Sequence, residues 1–231
     1  HTGEQHTVTT GGKADPAAAA EARLAAQRAR EQRDAERRAQ QVKTAEQARR
    51  WWATAGAADP SHPYLTKKRL APHGLRQRDT MLLVPLFYDG ELVNIERIYP
   101  DGAKKALFGG RAKGVAGLVG KLVDADRVLI AEGWATAAAL YEAIGVPVVV
   151  ARNADNLEPV ARRLRQRLPD NVAITLAADD DRFTDGNPGT TKARLAALAI
   201  GAKVLMPTFC ADCQRCTDFA DVVLCRKERS L

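Results

Sequence analysis

Two stretches decide the fold: Arg127-Val-Leu-Ile-Ala-Glu-Gly-Trp-Ala-Thr-Ala137 and Ala173-Ile-Thr-Leu-Ala-Ala-Asp-Asp-Asp181. Each is a short apolar run that ends in carboxylates. Runs bounded this way and followed by helical patterns predict strands buried on both faces, as in a parallel sheet. The pattern repeats around them. Strands are expected at Val128–Ala131, Val146–Ala151, Ala173–Ala178 and Lys203–Met206, with helices over Ala135–Ile144, Leu157–Leu168 and Thr190–Ile200 between them. Such alternation implies right-handed βαβ crossovers. The fold class is α/β, a mostly parallel four-stranded sheet with helices on both faces.

In sheets of this kind ligands gather beyond the carboxyl ends of the strands. Glu132, Asp179 and Asp181 fall there, whereas Asp180 should face away, because alternate strand residues point to opposite sides. Mutually repelling carboxylates at one edge call for a cation, and oxygen ligands suit a hard divalent ion such as Mg²⁺ or Mn²⁺. The pattern outlines metal-assisted phosphoryl chemistry; solvated loop acids are the plainer alternative.

Working outward toward the N-terminus, Met81–Tyr88 and Glu91–Ile98 flank Asp89-Gly90, a hairpin signal. A second turn at Pro100-Asp-Gly102 leads to Ala103–Phe108 and then to Gly109-Gly-Arg-Ala-Lys-Gly-Val-Ala-Gly117. This small antiparallel unit, within residues 56–124, presents Lys104, Lys105, Arg111 and Lys113 beside glycines. Backbone amides and positive charge of that kind can contact nucleic acid or a nucleotide, or the lysines are simply solvated. Ser61–Leu70 reads as a turn and a short helix. Trp51-Trp52 are expected to pack rather than to stack on bases.

Residues 15–55 are rich in Ala, Arg, Gln and Glu and predict one long basic helix opened by Asp15-Pro16. Asp34/Arg38 and Glu46/Arg50 have the spacing of helical ion pairs. Only Leu24 and Val42 interrupt the small and polar residues from Ala17 to Arg50, so little of this helix should be buried. Residues 1–14 are polar and Gly/Thr-rich and are expected to lack order. Residues 125–231 are assigned to the α/β portion, expected to be the catalytic domain.

The chain has 231 residues, a net charge of +7 and a pI near 9.4, with its acids concentrated at strand ends. Basic overall with an acidic pocket suits an enzyme that holds a polyanion and handles its phosphates. No apolar run reaches membrane-spanning length and no leader pattern opens the chain, so a cytoplasmic location without membrane partners is expected. A start at His1 rather than Met suggests a piece of a longer protein.

Glu132-Gly133 after one strand and Asp179-x-Asp181 after another resemble the signature of the Toprim fold, shared by DnaG-type primases, topoisomerases and some nucleases. More narrowly, Glu132-Gly-Trp-Ala-Thr-Ala137 is similar to the EGYATA motif of plasmid and phage primases, with Trp134 in place of Tyr. His62-Pro-Tyr-Leu65 with Lys67/Lys68, Val84-Pro-Leu86, and Asp101-Gly-Ala-Lys-Lys105 before Gly109-Gly110 are similar to the segment that precedes Toprim there. The resemblance runs from about Trp51 to the end.

It implies a DNA primase core of the mobile-element branch, serving plasmid or phage replication or conjugative transfer. Such a core makes short RNA primers from NTPs on single-stranded DNA. It implies Glu132, Asp179 and Asp181 as catalytic and metal-binding residues, with Asp218 of Thr217-Asp-Phe-Ala-Asp221 as a further ligand and Asp221 as a weaker candidate. A replicative helicase or other domains of a larger parent are possible partners. A Toprim nuclease and a non-catalytic nucleic-acid-binding module are the alternatives; a topoisomerase would need a strand-cleaving tyrosine in a setting absent here.

Cys210, Cys213, Cys216 and Cys225 are the only cysteines. They allow a tetrathiolate Zn²⁺ site, reduced thiols or a redox role, and the family motif does not predict them. Arg226–Arg229 reads as a charged tail. Asn153 and Asn156 suit helix capping better than phosphate contact.

Overall fold

The computed structural model describes residues 16–211 and 213–229. The expected N-terminal tail and Asp15 lie outside them. The long helix forms as α1 (Pro16–Thr54). Gln27 donates to Glu31 and Gln32 to Glu36, each at 2.9 Å one turn on, while Asp34 pairs with Arg37 rather than Arg38. The chain divides into two compact units, residues 1–40 and 41–231. In the first, residues 16–40 are this helix.

In the second unit the end of α1 has a buried face after all. It is made of alanines: Ala45 and Ala48 are buried, the latter with Leu83, Leu92, Ile95 and Leu107. Small side chains let the helix axis approach the sheet closely, so the missing large residues do not mean a solvated helix. Trp51 and Trp52 pack on the same cluster, under the guanidinium groups of Arg78 at 4.5 Å and Arg76 at 4.8 Å.

The upstream unit is a five-stranded antiparallel sheet in the order β1 (Gly56–Ala57), β2 (Arg76–Arg78), β3 (Met81–Tyr88), β4 (Glu91–Ile98), β5 (Lys104–Ala106). The β3–β4 hairpin closes through Asp89 and Gly90, both at positive φ as a two-residue hairpin turn requires. Between β1 and β2 lies α2 (Pro63–Lys68), capped by His62. The His62 Nδ1 accepts from Tyr64 N, so its Nε2 carries the proton and donates to Thr80 O at 2.9 Å.

The second sheet has the order β10-β9-β7-β8-β6. Its parallel members are β7 (Arg127–Ala131), β8 (Val148–Val150), β9 (Ala173–Ala177) and β10 (Lys203–Leu205), the four expected. A fifth strand, β6 (Gly117–Val119), not expected from the sequence, begins at the last residue of the glycine-rich stretch and adds antiparallel to β8. Phe87 and Ala116 exchange backbone bonds of 2.8 and 3.0 Å, which join the two sheets.

Helices cover both faces. α3 (Trp134–Ile144) and α6 (Phe219–Arg229) share one core with β7, β8 and residues of the upstream unit, among them Tyr64, Leu82 and Ile98. α4 (Leu157–Arg167) and α5 (Pro188–Ile200) share the other. Trp134 is 1% exposed and lies 6.4 Å from the Tyr64 ring, so the indole that replaces the motif's tyrosine is a core side chain. α6 runs through Arg226–Arg229, where a charged tail was expected. No helix among the described residues is long and apolar enough to cross a membrane.

Candidate active site

The chain leaves β7 for β8 on one side and returns to β9 on the other, so β7 and β9 are neighbours that feed opposite directions. Ligand sites form at such a switch point. Ala131 lies in register with Ala177, which puts Glu132 beside the segment Ala178-Asp179. Gly133 then caps α3 without a side-chain bond.

Helix α5 fixes the aspartates. Gly189 N donates to Asp181 Oδ2 at 2.9 Å, and Thr190 Oγ1 donates to Asp179 O at 3.0 Å. A Cβ at Gly189 would lie 2.8 Å from both Asp179 O and Asp181 Oδ2, so only glycine permits this approach. From α3, Thr136 Oγ1 donates to Asp179 Oδ1 at 3.5 Å. Asp180 is turned to other use: its Oδ1 accepts from Asn187 Nδ2 at 2.7 Å, and its N donates to Thr217 O at 2.7 Å.

Asp218 arrives at the start of α6, where its Oδ1 accepts from Asp221 N at 2.8 Å. Asp221 is committed elsewhere. Its Oδ2 accepts from Thr217 N at 3.0 Å and its Oδ1 pairs with Lys68 at 3.1 Å, tying α6 to α2.

Electrostatics bind these groups into one site. Burial, reinforced by Glu132, Asp218 and Asp181, pushes the Asp179 carboxyl up to about 8, against the pull of Lys104. Burial and Asp181 raise Glu132; burial and Asp221 raise Asp218, against Lys68. Burial would lower the Lys68 ammonium, but Asp218 and Asp221 outweigh it and raise it.

The donor set is all carboxylate, and its members oppose one another's ionisation, so a hard divalent cation fits it. The carboxylates stand wider than a closed coordination shell: among the described residues, the cysteines form the only trio of such ligands with atoms within 4.8 Å of one another.

The four basic candidates go to different surroundings. Lys104 belongs with the acids, since it bears on Glu132, Asp179, Asp218 and Glu96. Lys105, next on the edge strand β5, points to the opposite side and is exposed. Arg111 lies over the Tyr88 ring at 3.2 Å, with Arg163 at 3.5 Å from the same ring. Lys113 lines a surface cavity of about 430 Å³ with Asp155, Glu158, Arg162 and Lys192.

Glu96, overlooked in the sequence, is 4% exposed on β4, and burial raises its carboxyl against Lys104 and Arg152. Ile98 pairs with Lys104, so Glu96 is the diagonal neighbour of Lys104 on one face. The signal was an acid at an inward position of an alternating strand. Asn153 caps the turn after β8 as expected, but the Asn156 side chain makes no capping bond to α4: it accepts from Gly114 N at 2.7 Å and donates to Val115 O and Ala151 O at 2.8 and 2.7 Å. It latches the glycine segment to the sheet edge.

The cysteines converge between β10 and α6. Cys213 and Cys216 are joined as a disulfide, and the sulfurs of Cys210 and Cys225 are 2.9 Å apart.

Residues 127–228 match the family described as Toprim domain. The chain is 35% identical over 208 residues to a DNA primase TraC of Escherichia coli, covering 85% of this chain and 19% of the relative. A second DNA primase TraC of Escherichia coli is 34% identical over 189 residues, covering 77% of this chain and 13% of the relative. The chain therefore spans less than a fifth of the length of these relatives. The fold is similar to the crystal structure of the primase fragment of the bacteriophage T7 primase-helicase protein. The TM-score is 0.51 and the identity 18%, over 77% of this chain and 74% of that one. Glu132 and Asp179-x-Asp181 close adjacent parallel strands inside the matched residues, so residues 127–228 carry a Toprim domain, in a chain similar to the TraC primases over most of its length.

Proposed function

We propose that this chain is the catalytic core of a DNA primase, which joins NTPs into short RNA primers on single-stranded DNA. The observation that carries the reading is the convergence of Glu132, Asp179, Asp181 and Asp218, which raises Asp179 to about 8. Asp179 and Asp181 would hold Mg²⁺ or Mn²⁺, with Asp218 and Glu132 as further ligands. When bound, the ion lowers the pKa of the attacking 3′-hydroxyl and offsets charge on the α-phosphate in an in-line displacement.

The protein's own part is placement. The α5 amide of Gly189 and the Thr190 hydroxyl fix the aspartates, so no reorganisation is needed as charge develops. Lys104 brings a positive charge to the same acids and would meet the triphosphate oxygens. Glu132, raised by burial and by Asp181, can alternatively take the hydroxyl proton as general base. Lys105, exposed on β5, and Phe108, 92% exposed in the turn that follows, would offer a charge and a ring to the template strand. The names of the relatives favour a role in conjugative transfer or plasmid replication, with helicase or other domains beyond the span matched here.

The test is template-directed synthesis on circular single-stranded DNA with labelled NTPs and Mg²⁺ or Mn²⁺. Short RNA from wild type and none from Asp179→Asn/Asp181→Asn supports the reading. A shortened template without new RNA would replace it with a nuclease.

A further inference from the structure

All four cysteines of the chain meet in one place, although they come from a loop and a helix. The sulfur atoms of Cys210, Cys213 and Cys225 lie within 4.8 Å of one another, and Cys216 is bonded to Cys213. Cys213 N donates to Cys210 O at 3.1 Å, so the first Cys-x-x-Cys step is already a closed turn. All four are half-buried. From this convergence we infer that Cys210, Cys213, Cys216 and Cys225 form a structural tetrathiolate site for Zn²⁺, separate from the carboxylate site and independent of the primase reading.

Ligand chemistry selects the metal. Four soft sulfur donors in a small volume suit tetrahedral Zn²⁺, whereas the carboxylates suit a hard ion. The zinc form requires two-electron reduction of the Cys213–Cys216 disulfide by a thiol or phosphine reductant, which is oxidised in turn; two electrons and two protons give two thiols, and the four thiols release their protons as Zn²⁺ binds. Four thiolates and one Zn²⁺ leave two net negative charges. Arg182 is well placed to offset them, since its guanidinium donates to Cys213 O at 2.8 Å while stacked 4.4 Å over Phe209.

Position gives the site its purpose. Residues 206–211 and 213–217 have no regular secondary structure. Asp218 follows Cys216 by two positions, and Cys225 lies within α6, the helix that Asp218 opens. A metal shared by loop and helix closes both ends of the segment that delivers Asp218. Zinc then holds a carboxylate of the other site in place without touching it.

The experiment uses the whole chain, purified without chelator in a phosphine reductant. Zinc is counted by elemental mass spectrometry, and apo protein is titrated with Co²⁺. One zinc per chain, and cobalt bands of a tetrahedral tetrathiolate, are expected. Cys210→Ser and Cys225→Ser should lower zinc content at least tenfold, and Asp179→Asn/Asp181→Asn should leave it at one. The proposal is overturned if reduced wild type with four titratable thiols stays at background zinc after incubation with Zn²⁺. It is also overturned if the metal disappears in the aspartate variant. The cobalt spectrum of wild type decides the ligand set even if a cysteine variant fails to fold; oxygen- or nitrogen-type bands would refute it.

Discussion

The ammonium of Lys104 stands 3.4 Å from where a Cβ on Gly133 would lie. A lysine from the antiparallel sheet thus reaches the Glu-Gly turn of the parallel one, against the first residue of the site's helix. Gly133 has φ −103°, so alanine is conformationally acceptable there, and its methyl would only crowd Lys104. Gly133→Ala should fold with an unchanged melting temperature and lose no more than a few-fold in activity, because the end of the Lys104 side chain can shift. Lys104→Gln should lose about a hundredfold in primer synthesis, the scale of one removed transition-state contact. Steady-state rates with both variants, read against thermal melts, check this; equal losses of stability and activity would reduce Lys104 to a structural role.

Gly189 is a harder constraint. Its substituent would meet backbone, Asp179 O at 2.8 Å, as well as Asp181 Oδ2. Gly189→Ala should destabilise the chain by about 1–3 kcal/mol, the cost of forcing atoms into a packed interior. It should also weaken Mn²⁺ binding, because the amide that holds Asp181 moves. Urea unfolding and a Mn²⁺ titration read the two effects separately.

Asp179 predicts a pH dependence of the metal-free protein. Its folded pKa is raised to about 8, against roughly 3.9 unfolded. The folded state therefore holds the proton more tightly. The stability this contributes is complete below the unfolded value and is lost as pH rises through about 8. Asp179→Asn does not titrate, so at pH near 9 it should melt at a higher temperature than wild type. The gap should close toward pH 5. Mg²⁺ should raise the wild-type melting temperature at the higher pH and leave the variant's alone.

β7, β8 and β9 were legible because they are largely buried on both faces and so read as apolar runs, whereas β10, with Lys203 and Leu205 exposed, was legible from the strand–helix alternation that it closes. Glu132, Asp179 and Asp181 stand at strand ends in sequence and structure alike. Lys104 was read as a nucleic-acid contact because its neighbours are turns and glycines. What sends it to the acids is the register Ile98–Lys104 and the joining of the two sheets at Phe87–Ala116, both long-range facts. β6 escaped for a similar reason: a three-residue strand among glycines has no period to show, and only Val148–Val150 makes it one. The buried face of α1 escaped because alanine marks helix propensity and close packing equally well.

Phe108 supplies a last prediction, on the template side of the proposal. A phenylalanine 92% exposed gains nothing for the fold from its ring. Its backbone, by contrast, is held: Thr44 Oγ1 donates to Phe108 O at 2.9 Å, and Gly110 packs so tightly that a Cβ there would collide with the Asn94 side chain. A fixed backbone with an exposed ring is the geometry of a stacking platform, and Lys105, three residues earlier and exposed, supplies charge for the phosphates. Phe108→Ala should leave the melting temperature unchanged and weaken binding of an oligothymidine by about tenfold, within the 1–3 kcal/mol of one base–aromatic stack. Phe108→Trp should restore it, whereas Phe108→Leu, apolar but without a π-face, should not. Fluorescence anisotropy at two salt concentrations separates the ring from the charges, because only Lys105→Ala should flatten the salt dependence. Equal affinity of the Leu and Trp variants would assign the ring to simple apolar contact instead.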